Sequence, residues 1–194
     1  MATSQLALPS GERRADPSLT VYGILALAVA TVMVMGAIFG GWMIIKQGTS
    51  PWPPKGFSVQ QYFGTTLSVT AVMSGLVGWW GLYGVLKGER RQAIAGFSLA
   101  VFLQAAQINL ITYVLRSSGL SPKHNPYSAM FFAVHIATAA VIACGVAVSV
   151  VALLRVLAGQ VTKAEPAVAW AAAWYGTVVT VTWLVTYTLV YILG

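Results

Sequence analysis

The sequence predicts an all-α integral membrane protein: five transmembrane helices in one bundle, with the N-terminus cytoplasmic and the C-terminus outside. Composition is the first ground. Of the 194 residues 58% are hydrophobic and only 8% charged, where a soluble domain carries about 25% charged residues and needs them to cover its surface; the mean hydropathy is +0.77. Pattern is the second. Five apolar stretches, 21–45, 62–86, 93–115, 129–154 and 167–193, contain no Asp, Glu, Lys or Arg. Each exceeds the roughly 20 helical residues that cross a hydrocarbon core. Strands of a membrane barrel would appear instead as alternating segments of about ten residues. Charge supplies the third. Arg13, Arg14, Lys87, Arg90, Arg91, Arg155 and Lys163 fall on one side, and Lys46, Lys55, Arg116 and Lys123 on the other. Basic loops stay in the cytoplasm, which sets the orientation.

Residues 1–20 read as a polar cytoplasmic tail and 21–194 as a single five-helix domain. The tail carries Glu12, Arg13, Arg14 and Asp16. The apolar run behind it is too long for a signal h-region and is followed by no small-residue cleavage site. The first helix carries Gly36 and Gly40 four apart, with Ala37 and Gly41 beside them. The second carries Thr70, Ser74 and Gly78 at the same spacing, and glycines at 75, 78, 81 and 84 flanking Trp79 and Trp80. Small residues let membrane helices approach closely, so these positions are expected where helices meet. The third helix holds Gln104 and Gln107 on one face. The fifth holds threonines 177, 180, 182, 186 and 188, whose hydroxyls can bond back to their own helix carbonyls. Trp42, Trp52, Tyr62, Trp79, Trp80, Tyr113, Tyr127, Trp170, Trp174, Tyr187 and Tyr191 lie near helix ends, as expected of an interfacial aromatic belt.

Little of this is chemistry. His135 is the sole titratable group within a span that changes charge near neutral pH, and a buried histidine serves as a proton relay, a haem ligand or a hydrogen-bonded core residue. A bis-imidazole haem needs a second intramembrane histidine, and His124 sits in a loop between Pro122 and Pro126; a hydrogen bond to a neighbouring helix is the expected use. Gln104 and Gln107 suit a lipid headgroup, a quinone or, most simply, interhelical bonds. Active proton or cation coupling calls for intramembrane carboxylates, and there are none. The single cysteine, Cys144, forms no internal disulfide. Basic residues scattered at helix ends predict contact with anionic phospholipids and no nucleic-acid partner.

The stretch SPWPPKG at 50–56 lies in the first outer loop. Consecutive prolines lack amide hydrogens and fix φ, giving a stiff strap over the helix ends with Trp52 docked beside it. A Trp-Pro-Pro in that loop of a five-helix chain resembles subunit III of the haem–copper oxygen reductases. The run TVMVMGAIF at 31–39 is similar to that family's ELMFFAGLF. Gln107 is similar to the first residue of its Q-x-x-E segment. PYSAMFF at 126–132, with Gly145, resembles the approach to its fourth helix, and Trp183 and Tyr191 match its closing W…Y pair. The family's charged and titratable signatures are replaced: its glutamates fall on Thr31 and Leu110, its fourth-helix histidines near Thr138 and Val141, and its W-H-x-x-D run on Gly176, Thr177 and Thr180.

The resemblance implies a non-catalytic accessory subunit of a respiratory terminal oxidase in a prokaryotic cell membrane. Such a subunit binds no cofactor itself, while haems and copper reside in partner subunits I and II. It packs on the catalytic subunit, binds lipid and supports turnover. Gly36, Gly40, Trp52, Gly78, Trp79, Gln104, Gln107, His135 and Trp183 are the candidate lipid or subunit contacts, with the first two helices expected to carry the interface. A nitric oxide reductase accessory subunit, or a stand-alone transporter or channel, is the alternative.

Overall fold

The computed structural model describes residues 17–54 and 60–193. The tail up to residue 16, with Arg13 and Arg14, and residues 55–59, with Lys55, lie outside the described residues. Five helices run in order: α1 Pro17–Gly48, α2 Gln61–Lys87, α3 Arg90–Ser117, α4 Pro126–Leu157 and α5 Ala167–Tyr187, which passes into a π-helical segment, Thr188–Ile192. All five are long and apolar enough to cross a membrane. Each expected span is found, most of them with extra polar turns at the ends. In hydrocarbon no water is available for backbone amides, and a helix bonds all of them internally. This is why the spans are continuous helix even where β-branched residues are frequent.

Local signals set the ends. Between α2 and α3 the chain reverses at Gly88, whose φ of 82° is the left-handed conformation that favours glycine. There the Gly88 and Glu89 amides bond the carbonyls of Val85 and Gly84 at 3.0 and 2.8 Å. At the start of α4, Asn125 accepts from the Ser128 amide at 2.7 Å and Pro126 takes the first turn, where an amide hydrogen would be unused.

α5 is the hub. It packs against α1, α2 and α4, while α3 bridges α2 and α4, and α1 leans on α5 and α4. Half of the α5 span is buried against 17% of α1. Hydrogen bonds follow the same pattern. Tyr175 meets Thr31 of α1 at 3.1 Å. The Trp183 indole donates to Ser68 of α2 at 3.0 Å, and the Thr180 hydroxyl lies within bonding distance of the Ala71 carbonyl. Thr186 meets Thr138 of α4 at 3.2 Å. Each such bond contributes about 0.6 kcal/mol in a membrane, so they orient α5 more than they hold it; close packing does the holding. The α5 threonines do bond back: Thr177, Thr180, Thr186 and Thr188 each donate to the carbonyl four residues earlier.

The small residues that let helices touch are not all the expected ones. A methyl group built on Gly96 of α3 would overlap the Gly81 backbone of α2, and one on Gly84 would stand 2.7 Å from the Ala93 amide nitrogen. On α1, a methyl group built on Gly41 would touch the Met130 side chain of α4 at 3.6 Å. By contrast a methyl on Gly36, Gly40 or Gly78 would meet nothing within 4 Å. The four-residue repeat on α1 therefore faces away from the bundle, and its neighbour Gly41 makes the inward contact. A turn of about 100° per residue places Gly40 and Gly41 on different faces.

Candidate functional site

Two bundle ends are distinct. One, the strap end, gathers the end of α1, residues 49–54, the start of α4 and the π-helical segment. The other, the hairpin end, gathers the start of α1, Gly88 and the α4–α5 link. Arg155 bonds the Thr20 hydroxyl at 2.9 Å at the hairpin end, and Lys46 bonds the Leu193 carbonyl at the strap end.

The strap end holds a continuous aromatic core. Trp42 is fully buried, and its ring centroid lies 5.0 Å from that of Trp52 and 5.7 Å from that of Tyr127. Trp52 lies edge-on to Tyr127 at 4.8 Å. The strap thus folds Trp52 inward onto Trp42 and Tyr127 instead of laying it in a lipid interface. From Tyr127 the stack continues through Phe131 to His135, 4.2 Å beyond, and on to Trp183 and Tyr191 at 6.3 and 5.9 Å. Aromatic pairs at these distances add about 0.5–1.5 kcal/mol beyond their area burial. Trp42, Tyr127 and Tyr191 therefore belong to the protein interior and not to an aromatic belt. Sequence position alone could not separate the two, because a helix-end aromatic points inward or outward according to its helix rotation.

His135 lies at the centre, completely buried. One ring nitrogen, Nδ1, is 2.8 Å from the Phe131 carbonyl, which can only accept, so Nδ1 carries the proton. The other, Nε2, then accepts from the Tyr191 hydroxyl at 3.1 Å. Both nitrogens are engaged, and the ring offers no lone pair to a haem iron. The Tyr191 carbonyl in turn accepts from Gln61 of α2 at 2.8 Å, so α2, α4 and the π-helical segment meet at one residue.

The remaining candidates are dispersed. Gln104 is buried in mid-bundle between Ser149, 3.5 Å away, and Gly145. Gln107 is buried one turn on and bonds the Leu103 carbonyl at 3.5 Å. Trp79 sits towards the hairpin end, donating to Thr177 at 2.9 Å, with Trp170 and Trp174 edge-on at 5.6 and 5.5 Å. Gly36 and Phe39 of α1 and Trp174 and Val178 of α5 line an apolar groove of about 320 Å³ open to the outside of the bundle. Among the described residues no group of three metal-ligating side chains occurs.

Compared with known proteins, residues 19–194 match the family model of cytochrome c oxidase subunit III. The chain belongs to that family. Related subunit 3 sequences include those of Pisaster ochraceus, 28% identical over 179 residues, and Triticum aestivum, 26% over 187. That of Cyprinus carpio is 26% identical over 179 residues. In each case the alignment covers 88% of this chain and about two thirds of the relative. Two family landmarks, the Trp-Pro-Pro strap and the W…Y pair at Trp183 and Tyr191, meet in space as the two ends of one aromatic core. They lie 130 residues or more apart in the chain, so no local signal announced that contact. Tyr127 links them.

Proposed function

We propose that this subunit III homologue is a non-catalytic accessory subunit of a haem–copper terminal oxidase. It lies in a cell membrane with its N-terminus in the cytoplasm, packed on the catalytic subunit. The observation that carries the reading is the family match across nearly the whole chain. The site supports it from the negative side. No span holds a carboxylate, and the one buried histidine has both nitrogens committed to structural bonds. What the geometry offers is surface and rigidity. The least buried helix, α1, turns Gly36 and Gly40 outward, where a partner helix can approach its backbone closely. Gly78 offers the same opening on α2. We assign the contact with the catalytic subunit to the outward Gly40 and Gly78, and the α1–α5 groove, which Gly36 lines, to a lipid acyl chain. Haems and copper then stay in the partner subunits, and this chain supports their stability and sustained turnover. Orientation follows the charges: Lys87, Arg90, Arg91, Arg155 and Lys163 cluster at the hairpin end, against Lys46, Arg116 and Lys123 at the strap end.

The test is purification of the tagged chain from native membranes in mild detergent, followed by a reduced-minus-oxidised spectrum and mass spectrometry. Haem bands co-purifying with oxidase subunits I and II are expected. A colourless chain recovered alone would overturn the reading and turn attention to transport.

A further inference from the structure

The hairpin end carries a pocket of about 240 Å³. Val85 of α2, Ala93 of α3, Val156 of α4 and Val161 of the α4–α5 link, all buried, give it apolar walls. Arg90 and Lys163, both exposed, line it as well and form a cationic rim. Gly88 and Gly159 complete the lining in left-handed turns, with φ of 82° and 72°. A methyl group on either would meet nothing within 4 Å, so the backbone there is open to close approach. The lining comes from the last turns of α2 and α4 and the first turn of α3, where Lys87, Arg90 and Arg155 close the apolar runs. Three helices and a link surround the pocket, which places it at the end of the bundle, in the aqueous layer and not among acyl chains.

Charge at this end is unbalanced. Five cations, Lys87, Arg90, Arg91, Arg155 and Lys163, stand against two carboxylates among the described residues, Glu89 and Glu165, and neither carboxylate lines the pocket. Lys87 lies over the Tyr83 ring, and Arg155 bonds Thr20. Arg90 spends Nε and Nη2 on the carbonyls of Val156 and Leu157, at 3.3 and 2.6 Å. That holds its guanidinium over the end of α4 and leaves Nη1 for another acceptor. Lys163 has no hydrogen bond or ion pair among the described residues. A volume below the roughly 300–1,000 Å³ of small-molecule sites suits one or two side chains. A fixed guanidinium beside an ammonium matches a carboxylate, and the buried valines and alanine match the aliphatic stem and an apolar neighbour. We infer that the hairpin-end pocket takes an acidic side chain, with an apolar neighbour, from a partner oxidase subunit, held by Arg90 and Lys163. This rests on the accessory-subunit reading above and adds a contact at the cytoplasmic end of the bundle to those on its outward faces.

The experiment treats native membranes holding the tagged full chain with a water-soluble carbodiimide, which joins a lysine amine to a carboxylate in direct contact. The chain is then purified in mild detergent, and the joined peptides are read by mass spectrometry. The expected result is Lys163 linked to an Asp or Glu of an oxidase subunit. Lys163→Arg keeps the charge and removes the amine, so the link should vanish while oxidase subunits are still recovered with the chain. Lys163→Glu reverses the charge at an exposed position and should lower that recovery several-fold, most steeply at low salt, where exposed charges are least screened. Lys123→Glu, at the strap end, should leave recovery unchanged. Lys163 joined only to Glu12, Asp16, Glu89 or Glu165 of this chain, or to nothing, overturns the proposal; the second outcome gives the rim to anionic headgroups. Equal recovery by wild type and Lys163→Glu overturns it too. Lys163 joined to an acidic residue of a protein outside the oxidase supports the assigned occupant and overturns the accessory-subunit reading alone.

Discussion

Replacing Tyr191 with phenylalanine removes one oxygen atom from the interior and leaves the ring in place. The backbone of Tyr191 is held separately, by Gln61 donating to its carbonyl at 2.8 Å, so the perturbation stays local. Two costs follow. The lost interhelical bond contributes about 0.6 kcal/mol on average in membranes and at most about 1.7. The larger cost is the stranded His135 Nε2, which is fully buried and has no other hydrogen bond among the described residues; an unsatisfied buried polar atom costs about 1–3 kcal/mol. The single variant should therefore lose about 1–3 kcal/mol, measured by titrating the chain in detergent micelles with a denaturing detergent and following its helicity. The sign of a second change checks the mechanism. His135→Leu combined with Tyr191→Phe removes both partners, and apolar replacement of a whole pair is nearly neutral. The double variant should thus recover much of what Tyr191→Phe loses. Unchanged stability in Tyr191→Phe, or a double variant losing the sum of the two singles, would refute the argument that the pair is a coupled unit.

Three other outcomes test the packing. Gly96→Ala inserts a methyl group into the Gly81 backbone, and since backbone cannot rotate away, the α2–α3 pair must separate, at about 1–3 kcal/mol in the same titration. Asn125→Ala removes the acceptor for the Ser128 amide at the start of α4 and should cost about 1 kcal/mol, while Asn125→Asp should retain most of the stability. At Gly36 and Gly40 an added Cβ meets nothing within 4 Å, so in Gly36→Leu with Gly40→Leu stability should hold within about 0.5 kcal/mol. Recovery of the oxidase subunits with the tagged chain should nevertheless fall several-fold; undiminished recovery removes α1 from the proposed interface.

The fold class was written in the sequence because hydrocarbon allows few solutions. An uncharged run of 23 residues or more has nowhere to go in water, and in a membrane it must be helical to bond its own backbone. The five spans, the Gly88 turn and the Asn125–Pro126 start of α4 all rest on such local rules. Family landmarks were legible too, as short motifs. What the sequence could not decide is which way each helix faces. All its faces are apolar, so hydrophobic periodicity, which orients a helix in a soluble protein, carries no signal here. Small residues were an ambiguous guide for the same reason: glycine suits a packed neighbour and an open face equally, and only the tertiary structure separates inward Gly41, Gly81 and Gly96 from outward Gly36, Gly40 and Gly78. The hub role of α5 and the path from Trp52 through Tyr127 and His135 to Tyr191 join residues up to 144 positions apart. Such contacts are fixed by helix rotation and tilt, which packing sets and local sequence does not encode.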